Sequence, residues 1–305
     1  MDIIRVLKKV VEENNLCLNC LGRLFAGLLS GLTNEERGRA LVICLSMDLL
    51  NKLLNGENDK NMRTLKKLAI NYGFEPLIKF LRERGYRIRE RKRKCCICGD
   101  IFEKLGKITK KALDVLEDYE FDSFIVGVQV PLNVEVRDDA IKSKYHLSFS
   151  ESIKNELSRE IGKNIKMKTG KKFSTRPDLV ITINPYTTMV NILSKPVKYE
   201  GTIVIMERKT KAFARVCFKC KGKGCKECGF IGKKAGKNVE YILGTALLRE
   251  TGGKKWRFSI RKLGGGRIRF KIEVEQPKKR KINLEKIKSV GENLFRVESI
   301  KPILT

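Results

Sequence analysis

Ten cysteines are spread over this 305-residue sequence, and eight of them fall into C-x-x-C pairs. Cys217, Cys220, Cys225 and Cys228 stand in one run, C-F-K-C-K-G-K-G-C-K-E-C-G, while Cys17 and Cys20 (C-L-N-C) and Cys95 and Cys98 (C-C-I-C) lie far apart. Pairs of thiolates two residues apart suit a tetrahedral zinc ion. The Lys221–Gly224 link can turn tightly because Gly222 and Gly224 accept backbone angles closed to other residues. With one histidine, His146, in the whole chain, both sets are expected to be all-thiolate. Four thiolates leave no open position for substrate, so two structural zinc ions are expected rather than a catalytic one. Loops of this kind in a long basic chain read less well as disulfides or redox pairs. Cys44, in an apolar helical run, is expected to be buried packing, and Cys96 stands as an alternative to Cys95.

The formal charge is +30, from 65 Lys and Arg against 35 Asp and Glu. That surplus exceeds what solubility needs and points to a polyanion, nucleic acid above all. A thermophile surface rich in Lys and Glu would balance its signs. No apolar run is long enough to span a bilayer, and no signal peptide, lipidation site or basic amphipathic helix is visible. With reduced-looking cysteines, this implies the cytoplasm. Three clusters are candidates for phosphate contact. Arg87, Arg89, Arg91, Lys92, Arg93 and Lys94 run directly into Cys95. Lys166, Lys168, Lys171 and Lys172, with Lys163, precede an expected strand. Arg257, Arg261, Arg267, Arg269 and Lys271 recur on one face of an expected hairpin.

The elements that would position these groups are partly legible. Asp2 caps an amphipathic helix with Ile3, Ile4, Leu7, Val10 and Val11 on one face. Thr33 and Glu36 form a capping box that opens a helix through Ala40–Leu54. A second helical stretch, Met62–Glu83, is interrupted near Gly73 and Pro76. From about Asp122 the pattern becomes strand (Phe124–Val130), helix (Ser150–Ile161), strand (Leu179–Ile183) and strand (Met189–Ile192). Trp256, Phe258 and Ile260 alternate with polar residues, and so do Ile268, Phe270 and Ile272 beyond Gly264–Gly266. That alternation gives a β-hairpin with one apolar and one basic face. The expected class is α+β, with a helical zinc-binding region at 1–120, an RNA-binding α+β domain at 121–200, and a knuckle plus β-region at 201–305.

These residues resemble the archaeal and eukaryotic tRNA pseudouridine synthases of the tenth family (Pus-ten). The matching segments are Cys17–Arg23 (C-L-N-C-L-G-R), Cys95–Cys98, Pro177–Ile183, Ile192–Gly201 and the Cys217–Cys228 knuckle. The resemblance implies a zinc-stabilised N-terminal region, a THUMP-like RNA-binding domain and a synthase-like β-region truncated at Thr305, with tRNA as partner. The family signature G-R-E-D-x-D-x-R-x-L-G-x-G-R-P-F is echoed by Arg261–Phe270.

Anchored on Arg261, Leu263 and Gly264, that signature places the family's catalytic aspartate at Arg257 and its second aspartate at Ser259. No aspartate follows Asp178 in the remaining 127 residues. Arginine stays protonated and cannot act as nucleophile or base. The leading expectation is thus a tRNA-binding relative of the synthases with no catalytic residue. The alternatives are an active synthase, in which a glutamate substitutes or a second polypeptide completes the catalytic half, and a zinc-ribbon scaffold subunit of an RNA-processing assembly.

Overall fold

The computed structural model describes residues 2–55, 59–88, 93–291 and 293–303. Arg89, Arg91 and Lys92 of the first basic cluster lie outside the described residues. Two compact units share the chain: residues 1–111, 126–164 and 182–189 form one, and 112–125, 165–181 and 190–305 the other.

The chain opens with helices α1 (Ile3–Glu13), α2 (Leu18–Leu24), α3 (Asn34–Leu54), α4 (Asp59–Tyr72) and α5 (Glu75–Glu83). The Asp2 carboxylate accepts the Arg5 N–H at 3.1 Å, and Leu7, Val10 and Val11 are buried. Ile3 departs from the expected apolar face and is exposed. The capping box is present as read: Thr33 Oγ1 accepts the Glu36 N–H, and the Glu36 carboxylate accepts the Thr33 N–H. Gly73, at φ 57°, ends α4, and Pro76 sits in the first turn of α5, where its missing N–H costs nothing. Cys44 corrects its expectation. It is exposed on α3, on the side away from the buried Val42 and Leu45.

Helices α2 and α3 touch backbone to backbone through two glycines. A Cβ on Gly22 would stand 1.8 Å from the Asn34 carbonyl oxygen, and one on Gly38 would stand 2.1 Å from the Leu18 carbonyl oxygen. This explains the glycine two residues after the first cysteine pair.

The middle of the chain holds α6 (Leu105–Leu116), β1 (Ser123–Val128), α7 (Leu132–Lys144), α8 (Ile153–Thr169), β2 (Lys172–Phe173), β3 (Leu179–Asn184) and β4 (Met189–Ser194). The sheet order is β2-β1-β3-β4, with β1 and β2 parallel. Leu179, Ile181 and Ile183 alternate as buried residues, and Ile153, Leu157, Ile161 and Ile165 repeat on one face of α8. Helix α7 was not expected. Its buried face is Val134, Asp138 and Ile141, so a charged residue interrupts the apolar period. Helix α8 starts three residues later than expected and runs to Thr169, so Lys163, Lys166 and Lys168 ride on its final turns.

The last elements are β5 (Val197–Ile205), α9 (Val239–Thr251), β6 (Lys255–Gly264), β7 (Arg267–Glu275), α10 (Leu284–Lys288) and β8 (Phe295–Pro302). The strands form an antiparallel sheet of order β6-β7-β5-β8. Its inner face (Tyr199, Ile203, Trp256, Phe270, Ile272, Val274) packs with Val239, Leu243 and Leu247 of α9 into one core. The expected hairpin is β6–β7, turning at Gly264–Gly266.

Gly22→Ala is expected to cost at least about 2 kcal/mol in denaturant unfolding, because backbone rather than a movable side chain meets the new methyl. Gly106→Ala on α6, with nothing within 4 Å, should be neutral or slightly stabilising.

Candidate metal centres and nucleic-acid face

The two halves of the split cysteine set meet. Cys17 is the N-cap of α2, and its sulfur accepts the Cys20 N–H. Cys95 and Cys98 lie in a turn held by the Cys95 N–H to Asp100 Oδ1 (3.0 Å) and by the Tyr186 hydroxyl donating to the Cys98 carbonyl (3.1 Å). The four sulfurs lie within 4.8 Å of one another, with Cys17 and Cys98 Sγ 3.6 Å apart. Cys96 is not among them; its N–H donates to the Asn15 carbonyl at 2.7 Å. In the knuckle Cys217, Cys220, Cys225 and Cys228 also converge within 4.8 Å. Every cysteine among the described residues is a free thiol.

Both sets have the donor chemistry of a metal site. Four thiols this close cannot all ionise without a cation between them. Hydrogen bonds from Cys17, Cys20 and Cys98 hold Cys95 far below the usual thiol range, while burial pushes Cys20 well above it. In the knuckle the Cys225 N–H is the chief cause that brings Cys228 down to about 6.

A buried arginine supports the split set, and sequence reasoning missed it. Arg23 is 0% exposed. Its guanidinium donates to Cys20 Sγ at 3.7 Å and to the Glu151 carbonyl at 3.1 Å, and it pairs with Asp138 of α7 at 2.5 Å and Glu156 of α8 at 3.7 Å. Its visible signal was only its place after the C-x-x-C-x-G run. One guanidinium thus ties a ligand-bearing helix to two further helices, and it neutralises the charge that hid α7 from the apolar pattern.

The basic candidates fall differently from expectation. Arg87, Arg93 and Lys94 are exposed. Lys166, Lys168 and Lys172 are exposed around the end of α8 and β2, while Lys171 pairs with Asp122 at 3.1 Å. On the outer face of β6–β7 the absence of acids seen along the sequence does not survive folding. Arg257 pairs with Glu275 (2.9 Å), Arg267 with Glu298 (3.1 Å) and Lys271 with Glu200 (4.0 Å). The acids come from strand ends and from β5 and β8, which local reading could not place. Arg261 and Arg269 face each other across the strands, and among the described residues neither has a carboxylate partner.

Residues 108–184 match the family profile of the archaeal Pus10 THUMP domain, so the middle of the chain is a THUMP module. The chain is similar to proteins named tRNA pseudouridine synthase Pus10. Identity is 34% with that of Methanocaldococcus jannaschii, over 94% of this chain and 63% of the relative. It is 30% with that of Nitrosopumilus maritimus, over 99% and 71%. With that of Vulcanisaeta distributa it is 38%, over 65% and 48%. This chain thus spans less than two thirds of the length of the Methanocaldococcus and Vulcanisaeta relatives. It belongs to the Pus10 family. Among the described residues no helix is long and apolar enough to cross a membrane.

Arg23 cannot fully satisfy two buried carboxylates. Asp138 takes the close position and is also paired with Lys142 at 2.6 Å, while burial raises the Glu156 carboxyl from 4.5 to about 7. A folded-state pKa above the unfolded one gives stability that is full below about pH 4.5 and lost as pH rises through about 7. The melting temperature should therefore fall across that window, and Glu156→Gln should flatten the fall.

Proposed function

We propose that this chain is a tRNA-binding member of the family, stabilised by two structural zinc ions and unable to isomerise uridine. One observation carries the reading. By the resemblance of Arg261–Phe270 to the family signature, the catalytic aspartate's place falls to Arg257, which is exposed on β6 and paired with Glu275, and residues 179–305 contain no aspartate. A guanidinium there can hold a phosphate but cannot attack a nucleotide or take its proton. A second reading, an active synthase using a glutamate, has one observation in its favour: Glu273 lies directly across the strand pair from Arg257. Site-specific mapping of pseudouridine in a tRNA transcript incubated with the chain decides between them. No product is expected; product made by the chain alone would overturn the first reading. Product lost on Glu273→Gln would establish the second, and product formed only with an added protein would mark a split enzyme.

Zinc is supported by the sulfur geometry. Zinc–sulfur bonds of about 2.3 Å place the corners of a tetrahedron about 3.8 Å apart, against sulfur separations of 3.6 to 3.9 Å here. Cys17, Cys20, Cys95 and Cys98 would hold one ion, and Cys217, Cys220, Cys225 and Cys228 the other. In such closed sites the metal supplies cross-linking, not chemistry. Elemental analysis should find about two zinc ions per chain, and Cys220→Ser should remove one and lower the melting temperature.

The RNA contacts proposed are the Arg87–Lys94 run, including Arg89, Arg91 and Lys92, then Lys166, Lys168, Lys171 and Lys172, and the hairpin face. Affinity for tRNA should fall steeply with salt, with a log–log slope of magnitude about 5 or more. On the hairpin, Arg269→Glu should weaken binding more than Arg267→Glu, because Glu298 already neutralises Arg267. Filter binding over a salt series measures both.

A further inference from the structure

The knuckle at 217–228 is built from two copies of one half. In the first, Cys220 Sγ accepts the Gly224 N–H; in the second, Cys228 Sγ accepts the Gly232 N–H, both at 3.2 Å. Left-handed backbone recurs in step, at Lys221, Gly222 and Gly224 (φ 48°, 87° and 98°) and at Gly229, Phe230 and Gly232 (60°, 62° and 78°). The halves also lock reciprocally. A Cβ on Gly224 would lie 2.4 Å from the Phe230 oxygen, and one on Gly232 would lie 2.2 Å from the Gly222 oxygen.

Phe230 is therefore the counterpart of Gly222. Where one half uses a glycine for a left-handed turn, the other carries a bulky aromatic, which that backbone disfavours. Burial does not offset the strain, because Phe230 is 64% exposed. Phe218, between the first two cysteines, is 79% exposed. The surroundings are basic. Lys221, Lys223, Lys226 and Lys234 are all exposed, and the single acid between Lys211 and Asn238 is Glu227, already paired with Lys219.

We propose that the knuckle is a stacking platform for unpaired nucleotides of RNA, with Phe218 and Phe230 taking base faces and the lysines taking the phosphates. This rests on the tRNA-binding reading and adds to it a contact that reads bases by stacking rather than charge alone. Exposed aromatics set among cations are the arrangement that single-stranded nucleic acid uses, since every base offers a π-face. A closed four-thiolate site suits this role, because it fixes the loops without exposing a reactive metal.

The test uses the full zinc-loaded chain and an unmodified tRNA transcript over a salt series. Phe218→Ala and Phe230→Gly should each weaken binding about tenfold without changing the salt slope, since no charge is removed. Lys221→Ala with Lys223→Ala should make that slope shallower. Phe230→Gly should melt no lower than the unsubstituted chain, because glycine relieves the left-handed strain. Phe218→Trp should show fluorescence quenched by the transcript, against a constant signal from the buried Trp256. If both phenylalanine variants bind like the unsubstituted chain while Arg269→Glu weakens binding, the platform is overturned and tRNA binding stands. A loss of affinity accompanied by loss of zinc or a lower melting temperature also overturns it. Failure of the unsubstituted chain to bind at low salt would remove the tRNA-binding reading, and the platform with it.

Discussion

The meeting of Cys17, Cys20, Cys95 and Cys98 at one point is the constraint on which the first unit depends. The Cys17–Cys98 contact closes a stretch of 81 residues. Ordering so long a loop is costly, and thiols crowded together resist the shared ionisation that would hold them. A bound cation would remove the second difficulty and help offset the first, because its binding energy becomes folding energy. Arg23 then extends the constraint outward. It touches a thiol on one side and carboxylates of α7 and α8 on the other, so the packing of the THUMP region is tied to the state of the cysteine site. The Gly22–Gly38 crossing fits the same requirement, since α2 presents its cysteine only if α3 lies close behind it.

What was legible in the sequence follows what is local. C-x-x-C spacing, the Thr33–Glu36 box, the break at Gly73 and Pro76, and the period-two hairpin were all readable. Each depends on neighbours a few residues away. Helix α7 was not, because Asp138 interrupts its apolar face, and one of its two partners, Arg23, stands more than a hundred positions upstream. The exposure of Cys44 was likewise invisible, since it depends on which side of α3 finds a partner. The cations of the hairpin face were legible residue by residue, and the acids that share that face were not. Glu200, Glu275 and Glu298 reach it through strand pairing, which no inspection of Trp256–Lys271 could supply.

That redistribution changes how the large net charge should be understood. Basic residues that meet carboxylates across a sheet give register and surface order, and their attraction for a polyanion is discounted. Arg261 and Arg269, opposed with no carboxylate partner among the described residues, are mildly repulsive to each other, and an anion between them would relieve that repulsion. With 65 Lys and Arg against 35 Asp and Glu, at least 30 cations stay uncompensated however the acids pair, so folding decides where the surplus lies rather than whether it exists.

The two units are interleaved along the chain rather than laid end to end. Residues 112–125 and 165–181 belong with 190–305, yet they are made before the first unit is complete. During synthesis these segments emerge before residues 190–305, so the second unit cannot be completed until those residues have followed. The first unit, whose last segment is 182–189, has all its residues at hand earlier, so the two units become foldable one after the other along the chain.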